Sequence, residues 1–355
     1  MQSSYRIALI PGDGIGPELI DSAVTVLSAA ARAHDLNVRT DREPGGAGSY
    51  LEIGHALPPG TLDRLRTEYD AVLKGPVGLP GVRHQDGTEA GLLGGVLRGG
   101  LDTFANVRPI RLLPGVDAAV RFSPGEIDYV IVRENTEGLY LSRGAGVANR
   151  WAASDQLMVT REGCERVIRF AFETARTRGG APADGVRRVT CVDKSNVLRS
   201  FAFFRGVFDE IATEYPDVAA DHRYSDAAAH DLVAAPGGFD VLVTENFLGD
   251  LLSDLGAGTV GGLGMCGSAN IGADAAYFEP IHGSAPDIAG QDRANPTSQI
   301  LAAAMLLDHL GELGAGNAVR DAVHAAYAAG VIRLNPAGQP EAGTAAATRA
   351  ITAHL

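Results

Sequence analysis

The sequence predicts an α/β protein with a largely parallel sheet, organised as two domains. Three observations carry this. Short apolar runs of the buried-strand type alternate with helical patterns, as βα units do. The runs close on Gly/Pro-punctuated loops, and glycine makes up 45 of 355 residues, against about 7% in average proteins. The length itself fits two domains, at about 100–200 residues each.

In chain order, Arg6–Ile10 reads as a strand, followed by the loop Pro11–Pro17 and an apolar-periodic helix over Glu18–Ala33. Ala71–Leu73 is a short strand before the loop Gly75–Gly81. Glu89–Leu101 has helical character but contains five glycines, which lower its propensity. Asp128–Val132, Val189–Val192 and Val241–Thr244 are buried strands. Arg161–Arg178 is an amphipathic helix, with Val167, Ile168, Phe170, Ala171 and Ala175 on its apolar side. Ser200–Tyr215 is a Phe-rich helix, and Gln299–Leu310 is a helix apolar on most sides. The Ala-rich stretch Ala337–Leu355 reads as a short closing segment.

Composition narrows the function. The chain is 45% hydrophobic and 21% charged, which excludes disorder. A net charge of −13 argues against nucleic acid or an anionic membrane as partner. No run of about 18 apolar residues predicts a membrane helix. The start MQSSYRIALIPGDG has no basic stretch leading into an apolar one, so no signal peptide is expected. Cys164, Cys191 and Cys266 are odd in number and lack CxxC spacing. That argues against a disulfide framework or zinc site and fits a reducing cytoplasm. Lys74 and Lys194 are the only lysines among 30 basic residues. In a chain that uses arginine for generic charge, a retained lysine is a candidate for an amine that must lose its proton. Lys74, beside a Gly/Pro loop, is open to either reading.

Gly12–Pro17 (GDGIGP) lies between a strand and a helix, but its glycines miss the G-x-G-x-x-G spacing of dinucleotide-binding Rossmann folds. It is either a plain tight turn or a loop that a ligand approaches closely. Arg98, Arg108 (in FANVRP) and Arg133 (in VIVRENTEGLY) each sit beside an apolar segment, and together suggest a polyanionic small molecule. Asp226 lies in YSDAAAHDL. Asp250 and Asp254 lie four apart in TENFLGDLLSD and share a helix face. Either a hard cation such as Mg²⁺ or Mn²⁺ sits between them, or they form a solvated acidic helix start. Glu279–Gly290 with Asn295 forms a long punctuated loop of the kind that carries function.

The segments GDGIGPE, FANVRP, VIVRENTEGLY, DKSNVL, GDLLSD and FEPIHGSAPDIAG…ANP together resemble the β-decarboxylating dehydrogenases: isopropylmalate, isocitrate, homoisocitrate and tartrate/D-malate dehydrogenases. The resemblance runs along nearly the whole chain. It implies an isopropylmalate/isocitrate dehydrogenase-like fold, not a Rossmann fold, with two α/β domains around a central cleft. Residues 1–105 plus 265–355 would form the terminal, NAD-binding domain. Residues 106–264 would form the middle domain, with a dimerisation arm near Ser142–Val159.

The same resemblance implies roles. Arg98, Arg108 and Arg133, with Asn196, would hold the carboxylates of a substituted malate. Tyr140 would be the proton donor and Lys194, helped by Asp226, the base. Asp226, Asp250 and Asp254 would bind Mg²⁺ or Mn²⁺. Lys194 and Asp226 would serve the neighbouring subunit, giving a homodimer with shared sites. NAD⁺ would lie along Ile15, Glu279, His282, Gly283, Ser284, Ala285, Asp287, Ile288 and Asn295. Asp287 would accept the ribose hydroxyls and repel a 2′-phosphate, favouring NAD⁺ over NADP⁺.

The group on C3 of the substrate is read ahead of Arg98. Isopropylmalate enzymes resemble E-x-G-L-L-x-L-R there, and Glu89–Arg98 (EAGLLGGVLR) is that pattern with extra residues. Gly94 and Gly95 then stand where side chains would touch the substituent. Leu92, Leu93 and Val96 could supply an apolar pocket, the option favoured here, or Arg83 and His84 could face a charged group. A 3-isopropylmalate-like substrate is therefore expected. Homoisocitrate or isocitrate, to which RENTEGLY is closer, D-malate or tartrate, and a phosphonomethyl malate remain alternatives. Non-catalytic regulatory relatives lose the Tyr, the Lys or a metal Asp, and this chain retains all five.

Overall fold

The computed structural model describes residues 3–85 and 87–355. The elements are, in order, β1 (Ser4–Ile10), α1 (Gly16–Ala33), β2 (Asn37–Arg42), α2 (Ala47–Ile53), α3 (Thr61–Thr67), β3 (Ala71–Lys74), α4 (Gly94–Gly100), β4 (Ala105–Arg111) and β5 (Asp128–Glu134). There follow β6 (Val147–Ala148), β7 (Ala153–Ser154), α5 (Arg161–Thr177), β8 (Arg188–Asp193), α6 (Arg199–Ala212), β9 (Ala219–Tyr224), α7 (Ser225–Ala234), β10 (Val241–Thr244) and α8 (Asn246–Thr259). The chain continues through β11 (Gly267–Ile271), β12 (Ala276–Pro280), α9 (Thr297–His309), α10 (Leu313–Ala328) and α11 (Thr344–Thr352). They fall into two compact units. One comprises Met1–Asp102, Leu113–Asp117 and Gly261–Leu355; the other comprises Thr103–Leu112 and Ala118–Val260.

In the first unit the strands run β2-β1-β3-β12-β11. All pairs are parallel except β11–β12. α1 opens with Pro17 and Glu18 in its first turn, where a missing N–H costs nothing and an acid suits the helix dipole. Its face of Leu19, Ala23, Val26 and Ala30 is fully buried, and it packs on α9, α10 and α11.

In the second unit the order is β4-β5-β10-β8-β9, with β4–β5 antiparallel and the rest parallel. α5 and α6 cover it through Val167, Ile168, Phe172, Phe204 and Phe208. The Phe172 ring stacks on Tyr215 at 4.7 Å. Thr160 caps α5 by accepting the Gly163 N–H.

The helix expected over Glu89–Leu101 is shorter, beginning at Gly94. Gly91 has φ +85, and a Cβ there would lie 2.3 Å from the Ala47 Cα. The chain must leave the helical region to pass α2. The segment expected to close the chain over Ala337–Leu355 contains a full helix, α11. Among the described residues, no helix is long and apolar enough to cross a membrane.

Candidate active site

The strand register of the second unit builds the first cluster. Arg133, near the end of β5, has Asn106 of β4 on one side and Thr244 of β10 on the other. The chain passes from Thr244 through Glu245 into α8. Glu245 caps that helix by accepting the Leu248 N–H, so Asn246 arrives directly over Arg133. A Cβ on Gly249 would lie 2.6 Å from the Arg133 Cβ and Cγ; glycine lets the helix ride across the arginine. Arg133 is only 1% exposed. A buried guanidinium must be hydrogen-bonded. The Asn246 Oδ1 accepts from its Nε at 2.9 Å and from Nη2 at 2.7 Å, and Nη1 donates to Asp250.

Arg108 approaches the same helix from β4. Its Nε donates to Asn106 Oδ1 at 2.8 Å, and its Nη1 to Ser253 Oγ at 2.7 Å and Asp254 Oδ1 at 3.1 Å. Its Nη2 lies 3.6 Å from Asp250. The Tyr140 hydroxyl, on the turn Leu139–Ser142, donates to Asp250 Oδ2 at 2.6 Å. Thus Arg108, Arg133, Tyr140, Asp250 and Asp254 come together. Burial pushes the Asp254 carboxyl above its ordinary range; Arg108 opposes this and the neighbouring Asp250 adds to it. Two hard carboxylates one turn apart on one helix face fit a divalent cation between them.

Lys194 and Asp226 lie elsewhere in that unit. The Lys194 Nζ donates to Asp226 Oδ1 at 2.5 Å, with side chains 31% and 71% exposed. The hydrogen bond from Lys194 holds the Asp226 carboxyl below its usual value. Among the described residues no three metal-binding side chains gather in one place, so Asp226 does not join Asp250 and Asp254 within one chain. Behind the pair, Asp193 accepts the Ser195 N–H and two bonds from Arg205. The Arg205 guanidinium in turn stacks on Tyr224 at 5.2 Å. Asn196 is exposed on the turn after Lys194.

In the first unit, GDGIGP is more than a tight turn. A Cβ on Gly12 would lie 2.1 Å from the Pro76 carbonyl oxygen, and one on Gly14 would lie 1.9 Å from that of Ser284. Asp13, buried at 6%, accepts the N–H groups of Ala47, Gly48 and Gly78 at 2.7–2.8 Å. Ile15 N donates to Ser284 O at 2.8 Å, and the Ser284 hydroxyl to Gly78 O. The motif therefore clamps the segment 282–288 by backbone contact, and the Ser284 side chain is spent on that clamp. A cavity of about 310 Å³ opens here. It is lined by Ile15, His282, Gly283, Ala285, Ile288 and Asn295, among others. Asp287 is exposed on the same segment. Burial lowers the His282 imidazole below its ordinary value, so the ring is neutral at pH 7. An apolar-walled cavity beside an exposed acid fits an adenosine group.

Glu279 sits apart from that lining. It accepts from Lys74 Nζ at 2.5 Å and Asn270 Nδ2 at 2.9 Å. Burial alone would raise its carboxyl; Lys74 and the Arg98 guanidinium outweigh this and hold it below its ordinary value. Lys74, 2% exposed, is thus half of a buried ion pair. Arg98 is on α4, in this unit.

Leu93 was expected at the substituent pocket, but it is fully buried among Ile10, Val72, Leu97 and Tyr277. One face of a short helix cannot serve both the core and a pocket. Leu92, half-buried, and Val96, 43% exposed, remain. Arg83 donates to the carbonyls of Pro80 and Gly87 in its own loop, and His84 stands edge-on to Tyr50 at 5.3 Å. Both are used to fold that loop.

The sequence reading missed Asp13, Asn106, Asn246, Gly249 and Ser253. All lie inside quoted motifs or directly beside them, but nothing in a motif tells a ligand-holding residue from one that holds its neighbour.

Known proteins resemble this chain over nearly its whole length. The isocitrate/isopropylmalate dehydrogenase family matches residues 6–351. The chain is 43% identical over 346 residues to a 3-isopropylmalate dehydrogenase of Clavibacter michiganensis subsp. michiganensis, covering 93% of each. The crystal structure of isocitrate dehydrogenase from Methylococcus capsulatus superposes with a TM-score of 0.86 at 41% identity, covering 99% of both chains. That of a β-decarboxylating dehydrogenase from Thermococcus kodakarensis gives 0.79 at 37%, covering 99% of this chain and 96% of the other. The chain belongs to the isocitrate/isopropylmalate dehydrogenase family, and its fold is the mixed α/β fold of that family.

Proposed function

We propose that this protein oxidises and decarboxylates a 3-substituted malate with NAD⁺ and Mg²⁺ or Mn²⁺, and that 3-isopropylmalate is the favoured substrate. The observation that carries the reading is the pair of buried arginines, Arg108 and Arg133, meeting Asp250, Asp254 and Tyr140 on one helix face. Relatives named 3-isopropylmalate dehydrogenase, at 43% identity, support the substrate. When bound, NAD⁺ would supply the hydride acceptor and the cation a Lewis acid.

The chain's own residues do the rest. Asp250 and Asp254 would hold the cation, with Asp226 of a second copy completing the site. The arginines hold the carboxylates in fixed orientation and never change protonation state. Lys194 takes the C2 hydroxyl proton as the hydride leaves. Loss of CO₂ from the β-carboxyl leaves an enolate, and Tyr140 returns a proton to C3.

Shared sites require a homodimer. The hairpin β6–β7 leaves Val147 and Trp151 exposed at 73% and 80%, and α8 leaves Leu251 and Leu255 uncovered; a second copy would bury them. A reducing cytoplasm suits the three buried free thiols.

The test is a panel of 3-isopropylmalate, isocitrate, homoisocitrate, D-malate and a phosphonomethyl malate, followed by NADH absorbance with Mn²⁺ present. We expect the highest kcat/KM for 3-isopropylmalate, with D-malate poorer by about 0.8 kcal/mol per buried methylene lost. Isocitrate is the second reading, favoured by RENTEGLY. An inert 3-isopropylmalate would overturn the substrate and leave the reaction class.

The cofactor choice has its own test. Asp287 should make NAD⁺ preferred over NADP⁺ by at least about 2 kcal/mol, since paired ribose hydroxyls give way to like-charge repulsion. Equal specificity constants for the two cofactors would remove Asp287 as the discriminator.

A further inference from the structure

Arginines of this protein differ in what receives their Nε–H. Structural arginines dock it on carboxylates: Arg64 on Glu43, Arg178 on Asp240 and Arg205 on Asp193, at 2.6–3.1 Å. Exposed ones such as Arg83 and Arg187 dock on backbone carbonyls. Arg108 and Arg133 alone among these use a side-chain amide, Asn106 at 2.8 Å and Asn246 at 2.9 Å. Both asparagines are essentially fully buried. They come from different places in the chain, β4 and the start of α8, yet take the same atom of each arginine.

A carboxylate would orient a guanidinium at least as well, through a charge-assisted bond. It would also cancel its charge. The two arginines already face two carboxylates, Asp250 and Asp254, so the charges of these four side chains balance. A divalent cation would give the cluster a net positive charge, which suits the two carboxylates of a malate. A further buried negative charge would upset that balance in a site where low polarity strengthens every interaction.

We propose that Asn106 and Asn246 are positioning residues of the carboxylate site: uncharged acceptors that fix the two guanidinium planes without neutralising them. The inference rests on the reading that Arg108 and Arg133 hold substrate carboxylates. It adds which residues aim those arginines and why they are amides. Asn246 carries a second duty. Its Nδ2 donates to the Glu137 carbonyl at 2.9 Å, which ties the loop leading to Tyr140 to the helix that carries Asp250.

The test uses D-malate as probe, titrated calorimetrically into the full-length protein with Mn²⁺ present, alongside thermal melting. Asn106→Asp keeps the shape and the acceptor, adds a negative charge and gives up the amide donors. We expect it to melt cooperatively while D-malate affinity falls at least tenfold and NAD⁺ affinity holds. If the asparagine served stability alone, the aspartate would preserve D-malate binding. Unchanged D-malate affinity in a folded Asn106→Asp protein therefore overturns the inference and leaves the functional reading intact. Should Asn106→Asp fail to melt cooperatively, Asn106→Ala, which removes the acceptor of the Arg108 Nε–H without adding charge, is read by the same two numbers, and unchanged D-malate affinity there overturns the inference. An unaltered protein that binds neither D-malate nor 3-isopropylmalate overturns the functional reading and this inference with it.

Discussion

Replacing Lys194 by arginine is expected to lower kcat by on the order of 10²-fold or more, with the fold intact. The substitution keeps the positive charge and an Asp226 partner, which is 2.5 Å from the lysine amine. It removes the ability to give up a proton, since a guanidinium stays charged in a protein. Stability should hardly move, because the pair is solvent-accessible and exposed ion pairs contribute only about 0–1 kcal/mol. Single-turnover kinetics with 3-isopropylmalate would show the loss in the hydride step; a near-normal rate would remove Lys194 as the base. The same variant tests the shared site. Mixed and allowed to exchange with Asp250→Asn chains, it should regain part of the activity, because each mixed dimer rebuilds one whole site. Absence of recovery in demonstrably mixed dimers would count against subunits sharing residues.

Gly14→Ala should destabilise the protein by about 2–5 kcal/mol. The residue has φ +57, a region that costs a non-glycine residue roughly 1–2 kcal/mol. Its new methyl would also sit 1.9 Å from the Ser284 carbonyl oxygen, an overpacking worth roughly 1–3 kcal/mol. Moving Ser284 away to relieve the clash breaks its bond from Ile15 N and shifts the segment that lines the cavity proposed for NAD⁺. The KM for NAD⁺ should therefore rise more than that for the malate. Gly206→Ala is the control: nothing lies within 4 Å of a Cβ there, on α6, and helix propensity should gain it about 0.5–1 kcal/mol. Equal stabilities for the two variants would show that GDGIGP is an ordinary turn.

Much of this protein was legible before its structure. The strands DYVIV, VTCV and VLVT announce themselves because a strand buried on both faces is an apolar run that needs no context. The helix at 161–177 announces itself through its apolar stripe. Strands β4 and β9 do not. ANVRPIR and AADHRY are polar or broken by proline; they are extended because β5 and β8 offer them backbone partners. The start of α4 is likewise decided by α2, through the space that Gly91 leaves for Ala47.

The site divides along the same line. Residue chemistry is a local property, so the sequence by itself marked the three aspartates and the lysine kept among arginines as candidates, while the tyrosine and all the roles came from a family resemblance. What each arginine leans on is set by register and helix docking, which bring residues 113 positions apart, Arg133 and Asn246, into contact. Only the tertiary structure decided that Leu93 belongs to the core, that Ser284 and Asp13 hold loops together, and that two asparagines aim the arginines. These are relations between distant residues, and a buried polar atom takes whichever partner packing delivers to it.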